Sequence, residues 1–252
     1  MIPKEIHYLF GLDKDFCNKS FSYFHYLNVL SAKQINVDYK INLYYLYKPE
    51  SVYFDKLYDI CNVIKLEEIN YDINFQYKEH ISDLVRLNVI NQFGGIYLDL
   101  DTVCIKKFDD LLNYKCVLGK EYGIKDNENE ESFIGLCNAV IMSTKSNLFI
   151  KDWINEYHSS YNKQWNYLSV VFPHHLANSK EYNINIQNKD SFFKYSWDNR
   201  GKNQIFNLKS DINDCYSLHL WETKNYDILS KYNDELIKSS DNTICNIYKT
   251  LI

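Results

Sequence analysis

Arginine is nearly missing from this 252-residue chain, where only Arg86 and Arg200 occur. With a formal net charge of −5 and a pI near 5.8, the clustered cations that bind a phosphate backbone are lacking, which excludes nucleic acid as a partner. Long apolar runs are missing too. No stretch approaches the length of a membrane span, so peripheral contact is the most that is expected of a membrane. The first residues show no basic segment leading into an apolar run, so no signal peptide is expected. Cys-x-x-Cys pairs are absent. The seven cysteines, at 17, 61, 104, 116, 137, 215 and 245, are far apart and odd in number, which predicts free thiols in a reducing, cytoplasmic setting. No linker rich in glycine, proline or serine and no fixed repeat divides the chain. One domain over residues 1–252 is expected.

Alternation of apolar residues from Ile2 to Phe10, closing on Gly11, predicts a first buried strand, with Pro3 at a strand start. A helical spacing follows over Phe21 to Lys33, then a strand over Lys40 to Tyr47, a helix over Val52 to Cys61 and a short strand over Val63 to Leu66. Strand, helix, strand, helix, strand implies right-handed crossovers and a mainly parallel sheet with helices on both faces. Later segments read as a strand at Leu136 to Ser143, a helix at Asn147 to Tyr161, strands at Tyr182 to Ile186 and Cys215 to Trp221, and a helical pair over Tyr226 to Ile252. The acidic run Lys125 to Glu131 reads as a solvated loop. His174 and His175 would point to opposite sides if extended and are not expected to form a metal pair.

The chemistry concentrates between His80 and Val103. A helix from Ser82 to Phe93 meets the only glycine doublet, Gly94-Gly95, and an apolar strand then runs out onto Asp99 and Asp101. Side chains alternate along a strand, so Tyr97, Asp99 and Asp101 are expected on one face. Two carboxylates at the carboxyl edge of an open α/β sheet suit a divalent cation and a phosphate-bearing ligand. Chance supplies about one or two Asp-x-Asp triplets in such a chain. Asp13 and Asp15 are one, in a polar segment that reads as a solvated turn. Asn138 is a polar residue in a buried strand and needs hydrogen-bond partners from the backbone or from a ligand.

Three blocks, Pro3-Lys4-Glu5-Ile6-His7-Tyr8, Ser82-Asp83-Leu84-Val85-Arg86 and Gly94-Gly95-Ile96-Tyr97-Leu98-Asp99-Leu100-Asp101, carry a resemblance. Asn138-Ala139 and Ser217-Leu218-His219-Leu220-Trp221 match more weakly. The chain resembles the DXD-motif glycosyltransferases of GT-A fold, which include capsule and lipopolysaccharide transferases, fungal initiating α-mannosyltransferases and the catalytic domains of glucosylating toxins. The resemblance implies an α/β fold of GT-A, Rossmann-like type with the DXD motif at a strand end. It implies Mn²⁺ or Mg²⁺ held directly by Asp101, with Asp99 contacting the ribose or reaching the metal through water, and His219 as a third metal or diphosphate contact. It further implies that Asp83 and Arg86 hold the donor sugar's hydroxyls, that Asn138 lies beside that sugar, and that His7, Tyr8 and Tyr97 line the donor site. The donor would be a nucleotide sugar, UDP-hexose before GDP-mannose, and the acceptor a glycan, a lipid-linked oligosaccharide or a protein, with the anomeric configuration retained. Where relatives carry a tryptophan after the first strand this chain has Phe10 and Gly11, and a Gly-Pro element of the second half is represented by Phe172-Pro173-His174-His175; both departures bear on base and acceptor choice.

Other readings compete. Taken as residues alone, Asp83 and Arg86 could be an exposed ion pair three apart on a helix, and His7 or His219 a hydrogen-bonded core histidine. Asp99-Leu100-Asp101-Thr102-Val103 after an apolar strand also resembles the first motif of haloacid-dehalogenase-type phosphatases, with Asp99 as nucleophile and Asp101 as general acid. A non-catalytic sugar-nucleotide-binding module is the third reading.

Overall fold

The computed structural model describes residues 1–16, 19–69, 71–124 and 130–252. In order, the elements are β1 (Glu5–Phe10), α1 (Tyr23–Ile35), β2 (Lys40–Tyr45), α2 (Val52–Asp55), β3 (Asn62–Lys65), α3 (Glu79–Phe93), β4 (Gly95–Leu98), β5 (Thr102–Cys104), β6 (Cys116–Ile124), β7 (Glu131–Ser143) and α4 (Leu148–Ser159). They continue with α5 (Phe172–Ser179), β8 (Asn185–Gln187), α6 (Lys189–Phe192), α7 (Asn199–Phe206), β9 (Ser217–His219), α8 (Glu222–Leu229), α9 (Asp234–Ser239) and α10 (Thr243–Lys249). No helix among the described residues is long and apolar enough to cross a membrane.

Seven strands form one sheet in the order β3-β2-β1-β4-β7-β6-β8. The β1–β2, β1–β4, β2–β3 and β6–β8 pairs are parallel, and β7 runs antiparallel to both β4 and β6. The mainly parallel sheet expected from alternating strands and helices is therefore present, with β7 as its reversed member. Pleating divides the core in two. Ile96 and Leu98 pack with Phe24 and Leu27 of α1 and Tyr248 of α10 on one face. Tyr97 and Leu9 pack with Leu84 and Leu87 of α3 and Trp153 of α4 on the other. Helices cover both faces, as the sequence pattern requires.

The glycine doublet sets the path from α3 into β4. Gly94 ends the helix at φ 71° and Gly95 continues at φ 95°, a region open to glycine and strained for other residues. A Cβ on Gly95 would lie 2.6 Å from the Glu5 carbonyl oxygen and 2.9 Å from His7 Nε2. Only a bare backbone allows β4 to pair this closely with β1.

Several boundaries differ from the sequence reading. The helix expected over Val52 to Cys61 is a four-residue α2 followed by a 3₁₀ turn over Lys56–Asp59. The C-terminal pair is three short helices, each of the last two capped by an asparagine, Asn233 or Asn242. The strand at Leu136 begins earlier, at Glu131, and those at Tyr182 and Cys215 shorten to three residues each. His174 and His175 lie on α5, whose first turn accommodates Pro173, rather than on an extended segment. The acidic run lies outside the described residues over 125–129, and Cys17 does as well. The six described cysteines are unpaired.

Candidate active site

The strand β4 stops at Leu98, and the Thr102 N–H bonds the Asp99 carbonyl at 2.9 Å. Asp99 leaves the strand with its expected facing: the Tyr97 hydroxyl donates to Asp99 Oδ1 at 2.7 Å. Asp101 arrives by the turn instead of by strand alternation, which corrects the simple i, i+2 expectation. Its position is then fixed from the far end of the chain. Thr102 of β5 pairs with His219 of β9 in a small antiparallel ribbon, and His219 Nε2 meets Asp101 Oδ1 at 3.0 Å. Trp221 takes a left-handed backbone at φ 55°, a conformation bulky residues seldom hold. That turn brings the Glu222 N–H to Asp101 Oδ2 at 2.6 Å and the Leu220 N–H to the Asp101 carbonyl at 2.8 Å.

Burial works against charge on both Asp101 and His219, and their mutual attraction outweighs it. The Asp101 carboxyl is held well below the usual carboxylate range, and the His219 imidazole is raised above its ordinary value. The ring of Trp221 stands edge-on to that of His219, with centroids 4.2 Å apart. One ligand atom from each of Asp99, Asp101 and His219 lies within 4.8 Å of the others. Two carboxylates and an imidazole converging at that spacing match the donor types that take Mn²⁺, and their oxygens also suit Mg²⁺. The residues therefore fit a divalent cation.

Across the sheet end, α3 contributes a second cluster. Arg86 Nη1 lies 2.9 Å from Asp99 Oδ1, and Nη2 lies 3.3 Å from Asp83 Oδ1. The same guanidinium donates to the Asn138 carbonyl at 3.1 Å and its Oδ1 at 3.2 Å, while Asn138 Nδ2 donates to Asp83 Oδ1 at 2.7 Å. The Tyr97 ring sits under the guanidinium, 4.7 Å from centroid to Cζ. Burial opposes the charge on Arg86, and Asp99 and Asp83 together raise it above its ordinary value. The Asp83–Arg86 pair is buried, not an exposed helix-surface pair. Asn138 finds its partners in these two side chains.

Both clusters open into one cavity of about 510 Å³. Leu9, Phe10 and Gly11 reach it from the end of β1, whereas the two candidates earlier in that strand do not line it. His7 is fully buried, with Nε2 bonded to the Gly94 carbonyl at 3.0 Å and Nδ1 near the Tyr44 hydroxyl at 3.3 Å. Burial pushes its pKa down to about 4. Tyr8 is fully buried on the α1 side of the sheet. Strand alternation gives the side on which a residue points but not how far the strand end lies from it. For that reason both residues are corrected to core positions.

The cavity also holds groups that sequence reasoning passed over: Lys19, Lys78, Glu121, Trp197, Glu222 and Lys224. Lys78 pairs with Asp13 at 2.8 Å, so the Asp13 turn, though polar as expected, forms part of the rim. Glu222 joins His25 Nε2 at 3.1 Å and Lys19 at 3.6 Å. None of these stands in a motif, and each arrives through a contact distant in sequence.

An open, mainly parallel sheet with a carboxylate pair and histidine at its carboxyl edge defines the GT-A class of sugar transferases. Residues 14–118 match the family described as glycosyltransferase sugar-binding region containing DXD motif. Over 261 aligned positions the chain is 30% identical to glucan organizing enzyme 1 of Cryptococcus neoformans var. grubii, covering all of this chain and 71% of that protein. An uncharacterized Arabidopsis thaliana protein is 26% identical over 169 residues, 58% of this chain and 25% of its own length. Among solved structures, the glycosyltransferase GlyE of Streptococcus pneumoniae superposes with a TM-score of 0.55 at 11% identity, over 99% of this chain and 60% of that one. The chain belongs to the DXD-containing glycosyltransferase family, and its expected GT-A fold is the one observed. This placement leaves the phosphatase reading without support.

Proposed function

We propose that this chain is a metal-dependent, retaining glycosyltransferase, a single catalytic domain over residues 1–252, that moves a hexose from a nucleoside-diphosphate sugar to a glycan or glycolipid acceptor. The observation that carries the proposal is the convergence of Asp99, Asp101 and His219 within 4.8 Å at one cavity, joined through Asp99 to the buried Asp83–Arg86–Asn138 cluster. In this reading Asp99, Asp101 and His219 hold Mn²⁺ or Mg²⁺. The ion supplies Lewis-acid neutralisation of the diphosphate, which makes it a competent leaving group.

The chain's own groups then have distinct tasks. Tyr97 and Arg86 fix Asp99, while the Glu222 N–H fixes Asp101 and leaves His219 to exchange its bond to Asp101 for the ion. Asp83 and Asn138 present acceptors and a donor for the sugar's hydroxyls, prearranged by Arg86. Lys224 lies at the same cavity, where Lys19 and Lys78 are paired with Glu222 and Asp13, and could reach an anionic ligand. Retention is assigned to front-face transfer, in which a phosphate oxygen of the departing nucleotide takes the acceptor's proton. UDP-hexose is the favoured donor and GDP-mannose the second, and the odd number and wide spacing of the cysteines fit work in a reducing compartment.

The experiment is release of nucleoside diphosphate from UDP-glucose, UDP-galactose, UDP-N-acetylglucosamine and GDP-mannose, with Mn²⁺ or with EDTA. Release from at least one donor that EDTA abolishes is expected. Release from none would leave a non-catalytic binding module, and hydrolysis of p-nitrophenyl phosphate would revive the phosphatase.

A further inference from the structure

The middle of β6 reads Gly119-Lys120-Glu121-Tyr122-Gly123, so Glu121 lies between two glycines on one face of its strand. Each glycine makes room for an aromatic ring. A Cβ on Gly119 would meet Phe192 at 2.6 Å and Phe193 at 2.8 Å, and one on Gly123 would meet the Trp197 indole at 2.8 Å. The carboxyl of Glu121 lines the cavity together with Trp197. Its residue is 6% exposed, and no lysine or arginine among the described residues pairs with it. Cys137 and Trp197 neighbour its carboxyl, and the His219 imidazole is the positive group that acts on it. A carboxyl group offers about four acceptor positions, and on Glu121 they face a cavity.

A buried carboxyl with no lysine or arginine partner, beside an imidazole already paired to Asp101, is costly as a purely structural element. Its location suggests what offsets that cost. Asp83, Arg86 and Asn138 come from α3 and β7 and largely satisfy one another, whereas Glu121, Trp197, His219 and Trp221 reach the cavity from β6, the segment between α6 and α7, and β9 with the turn after it. Three of the chain's four tryptophans, Trp165, Trp197 and Trp221, line this one cavity, and Trp165 is 46% exposed at its mouth. Flat rings with a few placed polar groups are what a ligand with both apolar faces and hydroxyls requires.

We propose that Glu121, with Trp197 beside it, is the acceptor-binding site, and that the acceptor it takes is a saccharide held by a hydroxyl on the Glu121 carboxyl. The assignment rests on the glycosyl-transfer reading and adds to it the identity of the residues facing the second substrate.

The experiment compares the full chain with Glu121→Gln, which keeps the size and loses the carboxyl, and with Trp197→Phe, which keeps a ring and loses the N–H. Binding of methyl α-mannoside, methyl β-glucoside and methyl β-galactoside is followed by saturation-transfer NMR in the presence of Mn²⁺ and UDP or GDP, and the affinity for the nucleotide is measured by calorimetry. At least one glycoside should bind the unaltered chain and be weakened about tenfold by Glu121→Gln, with a smaller loss in Trp197→Phe, as for a lost charge-assisted hydroxyl contact. Nucleotide affinity should stay within about twofold, since neither side chain is among the groups assigned to the ion or to the donor. The proposal is overturned if none of the glycosides binds, if Glu121→Gln binds them unchanged, or if nucleotide and glycoside affinity fall together. Failure of the unaltered chain to bind either nucleotide would instead remove the transfer reading itself.

Discussion

Removing the guanidinium of Arg86 should be the most damaging single change in this fold that alters no apolar contact. The side chain is 8% exposed, with Asp99 Oδ1 at 2.9 Å and Asp83 Oδ1 at 3.3 Å. At an effective dielectric of ~20, each contact corresponds to about 5 kcal/mol of attraction, most of it cancelled by the desolvation of the charges. Arg86→Met keeps much of the volume but leaves Asp83 and Asp99 facing each other without a cation, and orphans the Asn138 carbonyl. Breaking a buried pair from one side costs about 3–5 kcal/mol, because the remaining charge stays buried. For a chain of this length that corresponds to a fall of roughly 10 °C in Tm. Urea unfolding at pH 7 measures it. Asp99→Asn introduced into Arg86→Met should return about 1–2 kcal/mol, since it removes one of the stranded charges. If Arg86→Met lost less than about 1 kcal/mol, or if adding Asp99→Asn deepened the loss, the buried-network account would be wrong.

Other expectations concern separate parts of the molecule. His7 is buried neutral with its pKa near 4, against 6.5 when unfolded. Because the unfolded chain takes up that proton first on acidification, the stability present above pH 6.5 is lost as pH falls toward 4. At 1.36 kcal/mol per pH unit this is about 3 kcal/mol in total, and the difference between wild type and His7→Gln in urea melts at pH 7 and 4.5 should reveal about 2 kcal/mol of it; equal pH slopes would refute it. Gly95→Ala should destabilise by more than about 2 kcal/mol, because its Cβ would lie 2.6 Å from a carbonyl oxygen at a backbone angle only glycine tolerates; a melting curve matching wild type would count against this path into β4. Asp101→Asn should abolish donor turnover and also lower stability by about 1–3 kcal/mol, since the His219 pair and the Glu222 N–H both depend on the carboxylate. Turnover above a tenth of normal would contradict the role proposed for Asp101.

The stretch from α3 through Gly94-Gly95 into β4 was legible because its signals are local: helical spacing, a glycine stop, then an apolar run. The parallel half of the sheet was legible for the same reason, as alternating elements restrict topology. What could not be read depends on partners far along the chain. Nothing near Asp101 announces that β9 will bring His219 to it, although the motif resemblance nominated both residues. The Asp83–Asn138 bond spans two elements that periodicity treats separately. Glu121 reads as an ordinary polar residue until two flanking glycines are seen to admit aromatic rings on either side of it. His7 and Tyr8 stand in a matching block, yet the pocket begins only at Leu9 and Phe10, one or two residues further along.

The most direct measurement is the crystal structure of the full chain with Mn²⁺ and UDP or GDP, using anomalous scattering to locate the ion. A manganese peak at about 2.2 Å from an Asp101 oxygen, with Asp99 or His219 in its coordination sphere and the nucleotide's phosphates on its open side, is the expected result. Nucleotide bound with Asp101 still paired to His219 and no ion between them would contradict the account.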